Sequence, residues 1–569
     1  MGNLFFISIR RLRAPLVFLI AVFAVSTAGL AVIPGVDADG NPWRPTIFDA
    51  FYFVTYTATT IGFGELPYTF TGDQRLWVTV IIYASVVGWA YLLGSLLALL
   101  QDRGFQSALV WARFARSVRH LREPFYLLCG LGETGLTVAR ELDRMGHRFV
   151  ALDRDSQQID RLDLGDFVTD PPALAADFSS PEVLRLAGLG RRECIGVLAL
   201  SPDDRTNLAV AVAARLLHPG LRTIVRAQNA ETMAAMETCG VSEVINPFRE
   251  FAERLEVAMR APDTYRLLGW LTGPPGDRLR PRVPAPPGHW IVSGYGRFGS
   301  EVAEALTGGG FKVTVIDPDE PPLDTFRLVQ GRGSDRASLE AAGIAEAEGI
   351  VAGSDDDIAN LATAMAARAM RPGIFVILRQ GRAENRSLFD AFGAEMTMVP
   401  SAIVANECLA CLRARHLSRF LRIAYGRDND WAARVVGLLE QVVGNETPDF
   451  WSAILGRRDA PGLLDAMPRS RRPARLADLM RDPADRDRQL PCLPLLLLRN
   501  GSASVEPEPT LALQPGDEVL FAGRDWARRA MRETLLNANT AAYLLTGRAP
   551  TSLIGRLLER RRDAEEGRP

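Results

Sequence analysis

Two long apolar segments near the start of the chain flank a shorter apolar and aromatic one. Residues 15–33 and residues 76–100 contain no charged residue. At about 1.5 Å per residue, the first segment as a helix nearly spans a hydrocarbon core of roughly 30 Å, and the second segment spans it fully. Residues 47–59 are too few to cross and fit a short helix. The pattern predicts two membrane spans with a short helix between them. A cleaved signal peptide is the alternative for the first segment, and the second span argues against it.

Beyond residue 123 the pattern changes to short apolar strands that alternate with amphipathic helices. One such unit begins at residue 126 and a second begins at residue 290. Strands that alternate with helices indicate a parallel sheet covered on both faces. Short strands return between residues 433 and 535. The predicted fold is therefore multidomain: an α-helical membrane region, two tandem α/β Rossmann-like domains and a small α+β C-terminal lobe.

The two α/β units are copies of one domain. Gly294 follows Gly130 by 164 positions, and Asp317 follows Asp153 by the same 164 positions. Further on, residues 357–361 repeat residues 204–208 at an offset of 153 positions. The first copy therefore carries an 11-residue surplus in its middle. A repeated order of motifs of this kind indicates duplication rather than chance.

Each copy has the layout of a dinucleotide-binding unit. An apolar strand leads into a glycine triplet, a helix follows, and the next strand ends in an aspartate, Asp153 or Asp317. Glycines permit a tight turn, the helix N-terminus meets a pyrophosphate, and the acid accepts hydrogen bonds from a ribose. The alternative is that the glycines are architectural and the acids cap their strands. Arg154 and Arg297 are either phosphate contacts or solvated side chains. The triplets are Gly130, Gly132 and Gly135, and Gly294, Gly296 and Gly299.

The stretch from residue 57 to residue 65, Thr-Ala-Thr-Thr-Ile-Gly-Phe-Gly-Glu, lies between the two predicted spans. Gly62 and Gly64 adopt unusual dihedrals at little cost because glycine has no Cβ. Such a strand can direct successive carbonyl oxygens toward one axis, with the Thr60 hydroxyl below them. Ile61 and Phe63 are then expected to face outward. A chance loop in a membrane enzyme is the alternative interpretation.

This stretch resembles the selectivity filter of the potassium channel family. The resemblance, which covers residues 13–100, implies a pore of four such loops around one axis, with K⁺ bound by filter carbonyls. Because the chain has one filter, the implied assembly is a homotetramer. Rough alignment with the family places a gating hinge at Gly88 in the second span; close helix packing is the alternative for this glycine and for Gly94.

The two copies resemble the regulator-of-potassium-conductance (RCK) domain, also called the KTN or TrkA-N domain, over residues 125–400. The matching residues are the glycine triplets, the two strand-end acids and Asp177. The resemblance implies a regulatory nucleotide, NAD(H) or an adenine nucleotide, and a helical crossover over residues 248–271. The second copy departs from the pattern, since Arg332 stands where the first copy has Asp177. Arg332 favours either a ligand with an extra phosphate or the absence of any ligand in the second copy.

The distribution of arginines around the two spans predicts on which side of the membrane the chain ends lie. Five arginines follow the second span between residues 103 and 122, whereas only Arg44 and Arg75 lie between the spans. The positive-inside rule then puts both termini in the cytoplasm of a multi-pass protein of the cell (inner) membrane. The net charge of −2 gives no basic field for nucleic acid. Thiols on the cytosolic side are expected to be reduced.

Two further clusters have alternative interpretations. Cys408 and Cys411 are spaced as a metal or redox pair, but a helix face is favoured because no second pair completes a site. The carboxylates of Asp355, Asp356 and Asp357 could bind Ca²⁺, but a solvated loop and helix cap is favoured.

The predicted function is a ligand-gated potassium channel rather than an enzyme: a nucleotide, a divalent cation or both bind a cytosolic gating ring of RCK domains and open or close the tetrameric pore. The alternatives are a membrane-anchored Trk-type regulatory protein and, less favoured, an NAD-dependent membrane oxidoreductase. The expected domains are a pore domain (1–100), a helical linker (101–123), the first RCK domain with its crossover (124–272), a proline-rich linker (273–288), the second RCK domain (289–425), a C-terminal lobe (426–540) and a charged tail (541–569).

Overall fold

The structure is a computed structural model that describes residues 2–65, 67–273, 276–279, 281–282, 284–319, 325–414, 416–470 and 472–547, with side chains from residue 12 onward. The chain divides into two compact units, residues 1–122 and 123–569. Most of the predicted charged tail, from residue 548, lies outside the described residues, as do positions 274, 275, 280 and 283 of the predicted linker.

The first unit consists of four helices and one small hairpin. Its helices α1 and α3 are long and apolar enough to cross a membrane, judged by length and composition. Both extend beyond the predicted spans at their first residues, and α1 continues through Pro15. The elements are α1 (Gly2–Val32), β1 (Gly35–Val36), β2 (Pro42–Trp43), α2 (Ile47–Ala58), α3 (Gly72–Gln101) and α4 (Arg103–His120).

The short helix α2 is fixed at its start and packed along its length. Thr46 Oγ1 accepts from the amide of Asp49 at 3.2 Å, and the Asp49 carboxylate accepts from the amide of Thr46 at 3.1 Å. This reciprocal capping box satisfies two amides that would otherwise lack partners. The buried face of α2 then packs between α1 and α3 through Leu30, Ala50, Phe53, Val54, Tyr56, Phe70 and Ile81.

The first copy is a parallel six-stranded sheet with strand order β5-β4-β3-β6-β7-β8. The order reverses at β3, so the carboxyl ends of β3 and β6 border the crevice where ligands bind in such sheets. The strands are β3 (Phe125–Cys129), β4 (Arg148–Asp153), β5 (Ala173–Ala175), β6 (Cys194–Ala199), β7 (Arg222–Arg226) and β8 (Glu243–Ile245). The helices are α5 (Glu133–Arg144), α6 (Ser156–Asp163), α7 (Pro181–Leu186), α8 (Asp204–Leu217), α9 (Ala230–Thr238), α10 (Pro247–Arg260) and α11 (Pro262–Thr272).

The second copy repeats this topology, with strand order β11-β10-β9-β12-β13-β14 and every pair parallel. Its strands are β9 (His289–Ser293), β10 (Lys312–Asp317), β11 (Arg327–Gln330), β12 (Gly349–Ala352), β13 (Phe375–Arg379) and β14 (Met396–Met398). Its helices are α12 (Arg297–Gly308), α13 (Arg336–Ala341), α14 (Asp357–Met370), α15 (Arg386–Phe392), α16 (Pro400–Arg413) and α17 (Leu417–Tyr425).

The copies exchange one helix each. Helix α10 leaves the first copy and packs into the core of the second, where Phe248 and Phe251 contact Phe298. Helix α16 leaves the second copy and buries Cys408 and Cys411 in the core of the first. Each sheet is therefore covered on one face by a helix of the other copy, and both copies belong to one compact unit.

Two predicted helices are broken. The expected helix over residues 248–271 is two helices, α10 and α11, because Pro262 has no amide hydrogen to continue the first. The helix expected to run from residue 400 to about residue 424 ends at Arg413 and resumes at Leu417.

The remaining part is built on a four-stranded antiparallel sheet of order β15-β18-β16-β17. It has an apolar core on each face, one of which includes residues from α11 and α17. The strands are β15 (Asp449–Ile454), β16 (Cys492–Arg499), β17 (Ser502–Val505) and β18 (Glu518–Gly523). The helices are α18 (Asn429–Val443), α19 (Pro461–Ala466), α20 (Leu476–Leu479), α21 (Asp525–Leu536) and α22 (Ala538–Thr546).

Candidate functional site

The loop after α2 has a left-handed backbone at every second residue. The φ angles are 62° at Thr60, 68° at Gly62 and 89° at Gly64, whereas Ile61 and Phe63 are outside this region. An alternation of this kind is the backbone conformation that allows successive carbonyl oxygens to face one side. A left-handed threonine costs about 1–3 kcal/mol and persists only where the surroundings hold it.

The residues around the loop hold it in this conformation. The Tyr56 carbonyl accepts from the amides of Ile61 and Gly62 at 2.9 and 3.3 Å. The Tyr56 ring also packs edge-on against Phe63, with 5.4 Å between centroids. Beyond the loop, Glu65 forms an ion pair of 2.8 Å with Arg75 on α3. The loop is therefore tied both to the helix before it and to the helix after it.

Ile61 and Phe63, which are predicted to face outward, have exposed side chains. Ile61 and Phe63 are 61% and 58% exposed in the single chain. Large apolar side chains at the start of α2, Ile47 and Phe48, are also exposed. Apolar surface of this extent marks a membrane or an assembly interface.

Gly88 lies where α3 contacts α1. A Cβ added at Gly88 would lie 3.0 Å from Leu19 Cδ1, and α3 is one uninterrupted helix through this position. An added Cβ at Gly94 would have no heavy atom within 4 Å among the described residues. The close approach to Leu19 supports the interpretation of Gly88 as a helix packing position. Its role as a hinge stays a prediction.

The glycine triplets of the two copies have the same geometry. The first glycine of each is left-handed, with φ of 95° at Gly130 and 91° at Gly294. A Cβ on the third glycine would lie 1.9 Å from the Gly130 carbonyl oxygen in the first copy, at Gly135, and 1.8 Å from the Gly294 carbonyl oxygen in the second, at Gly299. The first glycine thus allows the turn, and the third allows the helix to approach the strand.

The second glycine of each triplet borders open space. Within the part of the chain that the structure describes, a Cβ added at Gly132 or Gly296 would meet no heavy atom within 4 Å. Each of these glycines is also the N-cap of the following helix, with no side chain to accept from the first amides. A helix N-terminus with free space in front of it suits an anionic group such as a pyrophosphate.

The two strand-end acids hold the glycine loops in place. The Asp153 carboxylate accepts from the amides of Leu131 and Asp155. Asp317 does the same for the amides of Tyr295 and Asp319, at 2.8 and 3.0 Å. The acids therefore have the structural role considered from the sequence. Their contact with a ribose stays a prediction.

Arg154 and Asp177 lie together beside the first of these acids. Arg154 forms an ion pair of 2.9 Å with Asp177, and its guanidinium lies over the Phe178 ring. Hydrogen bonds from Ser179, together with Arg154, lower the pKa of Asp177 to about 2. This carboxylate is therefore ionised at neutral pH and neutralises the arginine.

Strand pairing confirms that Arg332 is the counterpart of Asp177. Asp153 pairs with Ala175 in the first copy, and Asp317 pairs with Gln330 in the second. Asp177 and Arg332 each come two residues after the paired position. The exposed Arg332 side chain therefore replaces an exposed carboxylate.

Sequence reasoning missed Glu133, the first residue of α5. Its carboxylate accepts from the amide of Ala383 at 2.9 Å and from the hydroxyl of Ser401 at 3.1 Å, both in the second copy. Conversely, Arg297 of the second copy donates to Gln228 Oε1 of the first at 2.8 Å. The 164-residue offset could have identified Glu133 and Arg297 as equivalent positions. Their contacts with the other copy, however, cannot be recognised in the sequence.

The carboxylate cluster at α14 acts as a cap. Asp356 accepts from the amides of Ile358 and Ala359, Asp357 accepts from those of Gly381 and Arg382, and Asp355 pairs with Arg379. Within the described residues, no group of three or more His, Cys, Asp or Glu side chains is placed to hold a metal ion.

Cys408 and Cys411 lie on the buried face of α16. Burial raises the pKa of both thiols, that of Cys411 to about 12. Neutral buried thiols are poor nucleophiles and poor metal ligands, so packing accounts for both residues.

Comparison with family models divides the chain in the same way. Residues 17–102 match the ion channel domain, and residues 126–247 and 290–400 each match the TrkA-N domain.

Among individual proteins, potassium channel protein 1 of Methanocaldococcus jannaschii is 24% identical over 204 residues, 35% of this chain and 59% of that protein. Probable potassium channel protein 2 of the same organism is 25% identical over 221 residues, 38% of this chain and 60% of that protein. The chain thus spans less than two thirds of these relatives. A solved structure described as the GsuK channel covers 92% of this chain and 99% of its own at 15% identity, with a TM-score of 0.47.

Proposed function

We propose that this chain, which belongs to the two-span ion channels with tandem TrkA-N (RCK) domains, forms a potassium-selective pore that is gated by nucleotide binding to those domains. The observation that carries the proposal is the loop from Thr60 to Gly64, which is left-handed at every second residue and follows a short helix between two apolar helices. Backbone carbonyls presented in this way replace the water around a potassium ion. The names of the matched relatives, which are potassium channels, support this choice of ion.

The pore requires four copies of the chain, because each contributes one loop. The exposed apolar side chains of Ile61, Phe63 and Ile47 are suited to burial against neighbouring subunits or lipid. We place the homotetramer in the cell membrane with both termini in the cytoplasm, since arginines are concentrated after the second span.

Gating follows from linkage between nucleotide sites and pore. NAD(H) or an adenine nucleotide binds at the glycine loops, against the open N-termini of α5 and α12. A ligand shifts the equilibrium between closed and open states only by the difference between its affinities for them. Residues 101–123 transmit the change to α3, and Gly88 is the proposed point of bending.

Flux measurements test the pore. Wild-type protein in proteoliposomes should conduct K⁺ in preference to Na⁺, and Gly64→Ala should abolish the selective flux because alanine rarely adopts a φ near 89°. Gly40→Ala is the matched control, since Gly40 is also left-handed, at 85°, but lies outside the loop. Unchanged selectivity in Gly64→Ala would refute the filter assignment. Adding NAD, ADP or ATP to the cytosolic side of bilayer recordings then tests gating, which a constant open fraction would contradict.

A further inference from the structure

The two glycine loops carry opposite charges at one equivalent position. Glu133 follows Gly132 and Arg297 follows Gly296, and each is the first residue of its helix. These two residues are separated by the same 164 positions as the glycines. A pyrophosphate bound to such a loop lies against this helix terminus. It would meet an added negative charge in the first copy and an added positive charge in the second.

Glu133 is held at this position rather than free to turn away. Its two oxygens are engaged by the Ala383 amide and the Ser401 hydroxyl of the second copy. An acid in the first turn already satisfies part of the positive end of the helix dipole. The first copy therefore contains an internal anion where further phosphate charge would accumulate.

Arg297 remains accessible in the second copy. Its side chain is 52% exposed; besides Gln228 it lies over the Phe248 ring at 5.7 Å and is 4.0 Å from the exposed carboxylate of Asp355. One guanidinium group can hold a neutral amide and still reach an anion, because it has five donors. The second loop therefore presents a cation at the phosphate end of the site.

The ribose end of the site shows the same difference. In the first copy Arg154 and Asp177 neutralise each other. In the second copy Pro318 replaces the arginine and Arg332 replaces the aspartate. The Gly331 amide donates to the Asp317 carbonyl at 3.3 Å, which places Arg332 next to the strand-end acid. An arginine near this acid is the feature that accommodates a phosphate on the ribose.

We propose that the two copies bind different nucleotides, and that Glu133 sets the difference. The second copy binds a nucleotide with a phosphate beyond the pyrophosphate, and the first copy binds a nucleotide without it. The extra phosphate has two possible sources: the terminal phosphate of a nucleoside triphosphate beside Arg297, or a ribose phosphate of an NADP-type dinucleotide beside Arg332. This inference rests on the proposed function, since it requires both glycine loops to bind nucleotide.

Single-site variants of the full-length protein make the test possible. An alanine methyl at Gly132 or Gly296 would lie in open space, with no heavy atom of the described residues within 4 Å. Calorimetry on detergent-solubilised protein then compares NAD with NADP and ADP with ATP. Gly296→Ala, which leaves the first site, should bind the less phosphorylated member of each pair about tenfold more tightly. Gly132→Ala disables the first site and keeps the second. This variant should bind ATP more tightly than ADP, NADP more tightly than NAD, or both.

Charge variants assign the residues and the source of the phosphate. In the Gly296→Ala background, Glu133→Gln should raise ATP affinity about tenfold. In the Gly132→Ala background, Arg297→Gln should weaken ATP binding if the source is a terminal phosphate, and Arg332→Gln should weaken NADP binding if it is a ribose phosphate. Ser401→Ala is the control, because it removes a hydroxyl that holds Glu133 without changing any charge. It should leave the preference unchanged.

Three results would overturn the inference. Equal nucleotide preferences in the two single-site variants would show that the sites are equivalent. A shift in Ser401→Ala as large as that in Glu133→Gln would assign the effect to the contact between copies rather than to charge. If the wild-type protein bound none of the four nucleotides, the nucleotide part of the proposed function would fall as well, whereas equal preferences would overturn this inference alone.

Discussion

The phenolic hydroxyl of Tyr56 donates a hydrogen bond of 2.7 Å to the carbonyl oxygen of Gly64. Tyr56 is buried in the last turn of α2, and Gly64 is the last left-handed residue of the loop. The main-chain carbonyl of the same tyrosine accepts from the amides of Ile61 and Gly62. One residue of the short helix therefore holds the loop near both of its ends.

Removing this hydroxyl should loosen the loop without disturbing the core. Tyr56→Phe keeps the ring that packs against Phe53 and Phe63. The loss of one hydrogen bond costs about 0.5–1.5 kcal/mol. We expect K⁺/Na⁺ selectivity, measured as a reversal potential in bilayers, to fall by about threefold to tenfold. Tyr52→Phe is the control, since Tyr52 is 47% exposed. A reversal potential equal to wild type in Tyr56→Phe would show that the bond does not stabilise the conducting loop.

Local patterns were sufficient to predict the elements that carry the candidate sites. The apolar segments predicted both long helices, and the strand, glycine triplet, helix and acid predicted both sheets. These features are local because a left-handed turn or a helix approaching a strand needs glycine at a fixed spacing. The break at Pro262 was also visible in principle, since proline cannot continue a helix.

Contacts between distant parts of the chain could not be predicted. The resemblance implied a crossover in the region of α10, but the return of α16 into the first copy depends on how two sheets pack. For the same reason, nothing near Glu133 in the sequence indicates that its partners are Ala383 and Ser401, about 250 residues later. The strand-end acids were expected at a ribose, but their bonds to loop amides are visible only in three dimensions.

The glycines of one triplet should differ sharply in their tolerance of a methyl group. Gly135→Ala would place Cβ 1.9 Å from the Gly130 carbonyl oxygen, which is backbone and cannot move alone. We expect a loss of about 3 kcal/mol, seen as a clearly lower unfolding temperature. Gly132→Ala should unfold within a few degrees of wild type, yet bind nucleotide more weakly. If the two variants proved equally stable, the close approach of α5 to the loop would be wrong.

Replacing Asp153 should lower the stability of the protein as well as its affinity for nucleotide. Asp153→Ala leaves the amides of Leu131 and Asp155 without their acceptor, which costs about 1–3 kcal/mol. We expect a lower unfolding temperature together with weaker nucleotide binding in calorimetry. Asp155→Ala removes only the cap of α6 and serves as the control: stability should fall by about 1 kcal/mol and nucleotide affinity should stay unchanged. Undiminished affinity in Asp153→Ala would place the nucleotide elsewhere.

A half-buried carboxyl between the exchanged helices should make stability depend on pH. Glu250 on α10 lines a cavity of about 380 Å³ together with Glu407 of α16 and Tyr425 of α17. Burial, followed by the negative charge of Glu407, raises the pKa of Glu250 from 4.5 to about 8, although Arg254 opposes this shift. Arg254 forms its ion pair with Glu407, which lines the same cavity as Glu250.

The sign of the dependence follows from the raised pKa. The folded protein holds this proton more tightly than the unfolded chain, so the contribution of Glu250 to stability is fully present below pH 4.5 and is lost as the pH rises to about 8. Glu250→Gln cannot ionise, and its unfolding temperature should exceed that of wild type above pH 8 by the equivalent of up to about 5 kcal/mol. Glu340→Gln on α13, at a side chain that is 57% exposed, is the control and should retain the wild-type slope. Thermal unfolding of the full-length protein between pH 5 and pH 9 measures all three. Parallel curves for wild type and Glu250→Gln would mean that Glu250 is already ionised at neutral pH.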